Sequence, residues 1–115
     1  MKRGDVCLVD LEPALGSRAN KRLPAAIVSN DGANETAVRL GRGVVTVVPI
    51  TSNLERVHPF QVGLPAAKTG LDRDSKAEAE RVCSISVGRV GSKLGVVPSP
   101  LLAELDEALR LHLAL

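Results

Sequence analysis

No apolar run in this chain of 115 residues is much longer than one β-strand, and turn-forming residues separate the runs. Short runs rich in Val and Ile, bounded by Gly, Pro, Asn and Asp, are typical of strands. The pattern predicts strands over residues 5–11, 24–29, 44–50 and 58–64, with two or three more within 75–86 and 93–97. Many short strands with short connections predict a small β-barrel.

The composition limits how such a barrel fills its interior. Hydrophobic residues make up 44% of the chain, but Phe60 is its one aromatic residue, so Val, Leu, Ile and Ala must form the core. A chain of this length suits one ordinary domain, here residues 1–115. No stretch approaches the roughly 20 apolar residues of a membrane helix, and the first ten residues lack the apolar centre of a signal peptide. We therefore expect a cytoplasmic protein.

Two segments differ from the strand pattern. Residues 30–43, "NDGANETAVRLGRG", are rich in turn formers and longer than a hairpin connection, which predicts a binding loop. Near the C-terminus, Ser99 is a suitable cap for a helix whose first residue is Pro100. Apolar residues then recur at helical spacing, and His112 lies on or beside their stripe, which predicts an amphipathic helix packed on the barrel with a packed His112.

The charge is informative in its distribution rather than in its total. The formal net charge is only +2, but basic residues gather between Pro13 and Phe60: Arg18, Lys21, Arg22, Arg39, Arg42 and Arg56. Such a cluster is usually solvated surface, yet arginine and lysine also make the commonest phosphate contacts. Cys7 and Cys83 are most simply small buried thiols, and without a close Cys or His pair we expect no metal site.

The second candidate for chemistry is "PITSN", residues 49–53, where a predicted strand ends in a group of hydroxyl and amide side chains. One interpretation is a turn capped by its own side chains. The other is a set of donors able to bind an oxyanion or a phosphodiester. Sequence spacing alone leaves both open.

Taken together, several segments resemble the MazF/PemK family of toxins. They are "KRGDVCLVDL", a Gly-Ser turn followed by basic residues, "PAAIVSN", "VVPITSN" and the terminal "LDEALRLHL", in the family's order and over almost the whole length. The resemblance implies the SH3-like small β-barrel of MazF/PemK/CcdB-type toxins, mainly β with a C-terminal helix. It also implies a homodimer that binds a cognate antitoxin. The implied activity is that of an mRNA interferase, a sequence-specific endoribonuclease that cleaves single-stranded RNA without a metal or cofactor.

The resemblance also implies which residues act. Thr51 matches the family's important threonine and is the expected donor to the scissile phosphate, with Ser52 and Asn53 beside it on the RNA. Gly16, Ser17, Arg18 and Lys21 are further expected RNA contacts, from the turn and basic stretch before the second strand.

The sequence departs from the family pattern at the residue before Pro24. Leu23 stands where the family commonly has arginine, and Arg22 is the candidate to replace it as a catalytic residue, although successive residues of an extended chain point to opposite sides. Four more departures coincide with it: Cys7 replaces a common tyrosine, Arg18 an acidic residue, Arg81 a glutamine and Cys83 an arginine.

These departures leave three hypotheses open. The first is an endoribonuclease toxin, weakened by the loss of its arginine. The second is a catalytically degenerate paralogue that binds antitoxin or RNA without cleaving. The third is a toxin with the same barrel that acts on a protein such as DNA gyrase, because one fold serves several functions.

Overall fold

The computed structural model describes residues 1–11 and 22–115. Four of the expected RNA contacts, Gly16, Ser17, Arg18 and Lys21, lie in the remaining segment and therefore outside the described residues.

Among the described residues, seven antiparallel strands form the sheet, as the short apolar runs predicted. They are β1 (Asp5–Asp10), β2 (Arg22–Ile27), β3 (Val44–Thr51), β4 (Gln61–Leu64), β5 (Ser75–Glu78), β6 (Cys83–Ser86) and β7 (Val90–Val96). The strand order is β4-β5-β3-β2-β1-β7, and β6 pairs with β3 beside this path. Strands β4 and β7 end the order, so pairing among the described strands does not close the sheet into a ring.

The first and last strands are neighbours in this order. β1 pairs with β2 on one side and with β7 on the other, where Asp5 lies opposite Val96. The β1–β7 ladder is irregular, because its register shifts twice between Val6 and Val9. The first and the last strand in chain order thus lie side by side in the sheet.

Small aliphatic side chains fill both faces of the central strands. In β2, Ala26 packs in one hydrophobic cluster while Ala25 and Ile27 pack in the other, and all three are fully buried. The continuous apolar run of β2 therefore has the burial on both faces that its sequence predicted. Burying one Val, Leu or Ile side chain contributes about 1.5 to 3 kcal/mol, which lets a core of aliphatic residues form without aromatic ones.

Helix α1 (Asp31–Leu40) replaces the binding loop that the sequence predicted over residues 30–43. The side chain of Asn30 caps the helix by accepting a hydrogen bond from the backbone N–H of Ala33 at 2.7 Å. Gly41 ends it in the left-handed conformation, with φ at 67°. The loop prediction was wrong because Asn and Gly residues were interpreted as loop composition when they mark the two ends of a helix.

The C-terminal helix is present, with one change at each end. After the short helix α2 (Ala66–Thr69), helix α3 spans Ser99–Leu113 and buries Leu101, Leu105 and Ala108 against the sheet. Pro98 rather than Ser99 is its cap, so the helix begins one residue earlier than predicted. His112 is exposed, and its predicted packing was wrong. Within the described part of the chain, no helix has the length and apolar character needed to cross a membrane.

Candidate functional site

A cavity of about 390 Å³ opens where β3 ends at Thr51. Residues from three parts of the sheet surround it: Leu11 and Leu23 from the β1 and β2 side, Pro49, Ile50 and Thr51 from β3, and Glu78, Arg81, Val82 and Cys83 from the segment that links β5 to β6. Its volume is within the range of small-ligand sites, so it has room for one nucleotide unit.

Thr51 lies at the cavity with its hydroxyl still able to donate. Its Oγ1 accepts a hydrogen bond from the backbone N–H of Asn53 at 3.2 Å, and the side-chain oxygen of Asn53 in turn accepts one from the backbone N–H of Glu55 at 3.1 Å. Side chains thus cap this turn, as one interpretation of "PITSN" predicted. The interpretation of this segment as a donor to an oxyanion or phosphodiester is compatible with the same geometry, because a hydroxyl that accepts one hydrogen bond can still donate its own proton to a ligand.

Ser52 and Asn53 follow Thr51 in the exposed segment that leads to β4. This segment is tied to the sheet by Lys76, which lies opposite Thr51 in the pairing of β3 with β5. Lys76 is only 7% exposed, and its Nζ donates to the backbone carbonyl of Arg56. Its ammonium group therefore supports the backbone that follows Thr51.

Leu23, and not Arg22, is the β2 residue that lines the cavity. In the β1–β2 pairing Leu23 lies opposite Val9 and Arg22 lies opposite Asp10, so their side chains project from opposite faces of the sheet. Arg22 is exposed and borders a separate cavity of about 270 Å³ with Asp10 and Gly91. The two residues expected to be catalytic, Thr51 and Arg22, are not brought together by this geometry.

Sequence reasoning named Arg81 only as a departure from the family pattern and gave Glu78 no role, but this charged pair lines the cavity. Arg81 ends the 3₁₀ turn Ala79–Arg81, and its Nε lies 3.8 Å from Oε2 of Glu78 at the end of β5. The side chain of Arg81 is 60% exposed and that of Glu78 is 17% exposed. No local motif surrounds Arg81, and only the path of the chain from β5 to β6 carries it to Thr51.

The two thiols are free, and both are protonated at neutral pH. Burial raises the pKa of Cys83, which lines the Thr51 cavity. Burial is also the main cause that raises the pKa of Cys7, with the nearby charge of Asp5 second. Because the thiolate is the reactive form of cysteine, neither residue is an activated nucleophile.

The described residues, 1–11 and 22–115, form no evident metal-binding site. They contain no group of three or more His, Cys, Asp or Glu side chains placed to hold a metal ion. What lines the Thr51 cavity is instead a hydroxyl donor, a guanidinium and a carboxylate on an otherwise mainly apolar wall. The hydroxyl and the guanidinium can both donate hydrogen bonds to an anionic ligand such as a phosphodiester.

The fold and this site define a class of protein. Residues 2–113 match the family described as the PemK-like, MazF-like toxin of type II toxin-antitoxin systems, and the chain belongs to this family. Among its relatives, Endoribonuclease MazF9 of Mycobacterium tuberculosis is 57% identical over all of this chain and 98% of its own length. Endoribonuclease EndoA of Bacillus subtilis is 30% identical, again over the whole chain and over 96% of the relative.

Solved structures show the same fold. MazF from Deinococcus radiodurans superposes with a TM-score of 0.80 at 25% identity, covering 100% of this chain and 97% of that one. A mycobacterial endoribonuclease in complex with its cognate antitoxin superposes with a TM-score of 0.78 at 23% identity, covering 100% and 96% of the two chains.

Proposed function

We propose that this protein is the endoribonuclease toxin of a type II toxin–antitoxin pair. The observation that carries the proposal is the hydroxyl of Thr51, which lines a cavity of nucleotide size and has its proton free to donate. Membership of the PemK-like, MazF-like toxin family and the endoribonuclease names of two full-length relatives support the same activity.

The reaction needs no metal or cofactor. The 2′-hydroxyl of the ribose attacks the adjacent phosphorus, the new O2′–P bond forms and the P–O5′ bond breaks. One proton leaves the 2′ oxygen and one is gained by the 5′ oxygen, so the products are a 2′,3′-cyclic phosphate end and a 5′-hydroxyl end. Thr51 donates a hydrogen bond to a phosphate oxygen as negative charge develops there, and such donors commonly provide the largest part of the catalysis.

Two segments bind the RNA chain in this proposal. Ser52 and Asn53 follow Thr51 along the exposed segment, and the basic stretch with Gly16, Ser17, Arg18, Lys21 and Arg22 provides backbone donors and cations for phosphates. We assign the protein to the cytoplasm, where mRNA is found, and treat residues 1–115 as one domain.

A cognate antitoxin and a second copy of the chain are the proposed protein partners. Support comes from the relative solved with its cognate antitoxin and from the family's place in toxin–antitoxin systems. An acidic antitoxin segment would complement the basic residues between Arg18 and Arg22, so the complex should weaken as salt is raised. Analytical ultracentrifugation of the purified chain, with and without antitoxin, tests both associations.

One experiment tests the cleavage directly. The purified protein is incubated in EDTA with a long single-stranded RNA, and the cut ends are mapped and their end groups identified. A short RNA containing the mapped site is then compared with the same RNA carrying one 2′-deoxynucleotide at the attacking position. We expect cleavage in EDTA, 5′-hydroxyl ends, and no cleavage of the deoxy-substituted RNA at that bond. Intact RNA, or equal cutting of the deoxy-substituted control, contradicts the proposal.

The second candidate is the degenerate paralogue that binds without cleaving. The observation in its favour is Leu23, an apolar side chain within the Thr51 cavity where a cation would stabilise the reaction. Tight antitoxin binding by a protein that leaves every RNA intact would favour this candidate over the nuclease.

A further inference from the structure

We infer that Arg81 is the cationic catalytic residue of this site, contacting the scissile phosphate together with Thr51. The inference rests on the proposed function and adds a residue for which neither the local sequence nor the relatives' names give a role. It follows from where the described charges lie around the cavity.

Arg81 is the one cationic residue among the described residues that line the Thr51 cavity. Phosphodiester cleavage adds negative charge to the phosphate oxygens as the new bond forms. A hydroxyl alone leaves that charge poorly compensated in a cavity whose remaining wall is largely apolar. The cavity therefore needs a cation, and Arg81 is at its edge.

The guanidinium of Arg81 is free to make this contact. Its ion-pair partner Glu78 lies 3.8 Å away, beyond hydrogen-bonding distance and on the Nε side of the group. Within the described part of the chain, no residue accepts a hydrogen bond from Arg81, and the side chain is 60% exposed. Both terminal amino groups can therefore form the planar, two-point contact that arginine makes with phosphate.

Two other cationic side chains near the site lie in other surroundings. Lys76 lies opposite Thr51 in the sheet, but its ammonium is buried and donates to the carbonyl of Arg56. The side chain of Arg22 lies on the other face of the sheet and borders the separate cavity that Asp10 also lines. Neither is among the residues that line the Thr51 cavity, as Arg81 is.

Glu78 has a positioning role in this arrangement. It ends β5, its carboxylate is mostly buried, and it faces the same cavity. A carboxylate beside Nε holds the guanidinium at the cavity when no RNA is bound. Because the carboxylate lies beside Nε, it leaves both terminal amino groups available to a phosphate.

Arg81→Gln tests the inference, and Arg110→Gln is the matched control. Arg110 is also an arginine that pairs with a glutamate three residues before it and is 55% exposed, but it lies on α3. Both variants are compared with the parent in single-turnover cleavage of a short RNA across a range of protein concentrations, which separates the maximal rate from half-saturation.

We expect Arg81→Gln to lower the maximal rate by about 100- to 1,000-fold while half-saturation changes much less, and Arg110→Gln to match the parent. Arg81→Lys should retain part of the rate, and millimolar guanidinium should partly restore cleavage by Arg81→Ala, which a structural defect would not allow. Thermal unfolding of each variant checks that it is folded. If Arg81→Gln is unfolded, Arg81→Lys provides the test instead.

Three outcomes overturn the inference. Equal maximal rates for Arg81→Gln and Arg110→Gln show that Arg81 takes no part. A change confined to half-saturation shows that Arg81 only anchors RNA. A parent that leaves RNA intact contradicts the proposed function as well as this inference, whereas a cleaving parent that is indifferent to Arg81 contradicts the inference alone.

Discussion

Replacing Thr51 by valine removes one hydroxyl from the cavity while nearly preserving the shape of the side chain. Two interactions are lost: the hydrogen bond that Oγ1 accepts from the backbone N–H of Asn53 at 3.2 Å, and the proposed donation to the scissile phosphate. The first affects the stability of the fold and the second affects the rate. Their magnitudes differ enough for one variant to separate them.

The hydrogen bond to Asn53 is long and exposed, and water can replace Thr51 as its acceptor. Its loss should therefore cost at most about 1 kcal/mol in the free energy of unfolding. Loss of one donor to a developing oxyanion typically costs about 3 to 4 kcal/mol, or 100- to 1,000-fold in rate. We expect a melting temperature lowered by a few degrees at most and a cleavage rate lowered by at least two orders of magnitude.

The assay is single-turnover cleavage of a defined RNA, with RNA affinity measured on the same RNA carrying a 2′-deoxy substitution at the attacking nucleotide. Thr51→Ser is the first control, because it keeps the hydroxyl and should retain most of the rate. Thr46→Val is the second: Thr46 is on the same strand, and its hydroxyl pairs with that of Ser84 at 3.2 Å, away from the cavity. It should cleave as the parent does.

A Thr51→Val protein that cleaves as fast as Thr46→Val would refute the assignment of Thr51 as a donor in the reaction. Equal losses of rate and of RNA affinity would show that the hydroxyl contributes to binding in general and not to the transition state.

Three further predictions concern other positions. Leu23→Arg places a second guanidinium in the cavity and should raise the maximal cleavage rate about 10-fold or more, since one well-placed donor is worth up to 1,000-fold; an unchanged rate would contradict this. Gly95→Ala would place a Cβ 2.3 Å from the carbonyl oxygen of Thr69. We expect it to lower the free energy of unfolding by about 1 to 3 kcal/mol, as measured by thermal unfolding. Gly63→Ala is the control and should be nearly neutral, because its Cβ would meet nothing within 4 Å. Because burial raises the pKa of Cys83, its alkylation by iodoacetamide, located by peptide mass spectrometry, should be slower than that of free cysteine at neutral pH and should accelerate as pH rises.

The strands could be predicted from the sequence because each is a short apolar run between turn formers, and α3 because its apolar residues recur at helical spacing. Helix α1 could not be recognised in that way. It buries only Asn34 and Ala37, so its apolar stripe is almost absent. Asn34 can be fully buried because its side-chain amide donates a hydrogen bond to the backbone carbonyl of Ser29. No hydrophobic pattern reveals such a role.

The residues of the candidate site likewise include some that could be predicted from the sequence and one that could not. Thr51 could be selected because its hydroxyl ends a strand and because the family resemblance supports it. The opposite orientations of Leu23 and Arg22 also follow from the alternation of side chains along an extended chain. Arg81 could be noted as a departure from the family pattern, but its place in the lining of the Thr51 cavity could not be predicted, because that place depends on how β5, the following turn and β6 pass β3. That is a property of tertiary pairing and leaves no local trace in the sequence.

The pairing of β1 with β7 affects when the protein can fold during its synthesis. During synthesis β1 leaves the ribosome well before β7, the strand that covers one of its edges. Chains grow at about 5 to 20 residues per second, and contacts between distant residues form slowly because the intervening chain must first be ordered. A nascent chain that already contains Leu23, Thr51 and Arg81 therefore lacks the strand and the helix that complete its sheet and core. The fold that would support cleavage of RNA is therefore complete only after β7 and α3 have been synthesised.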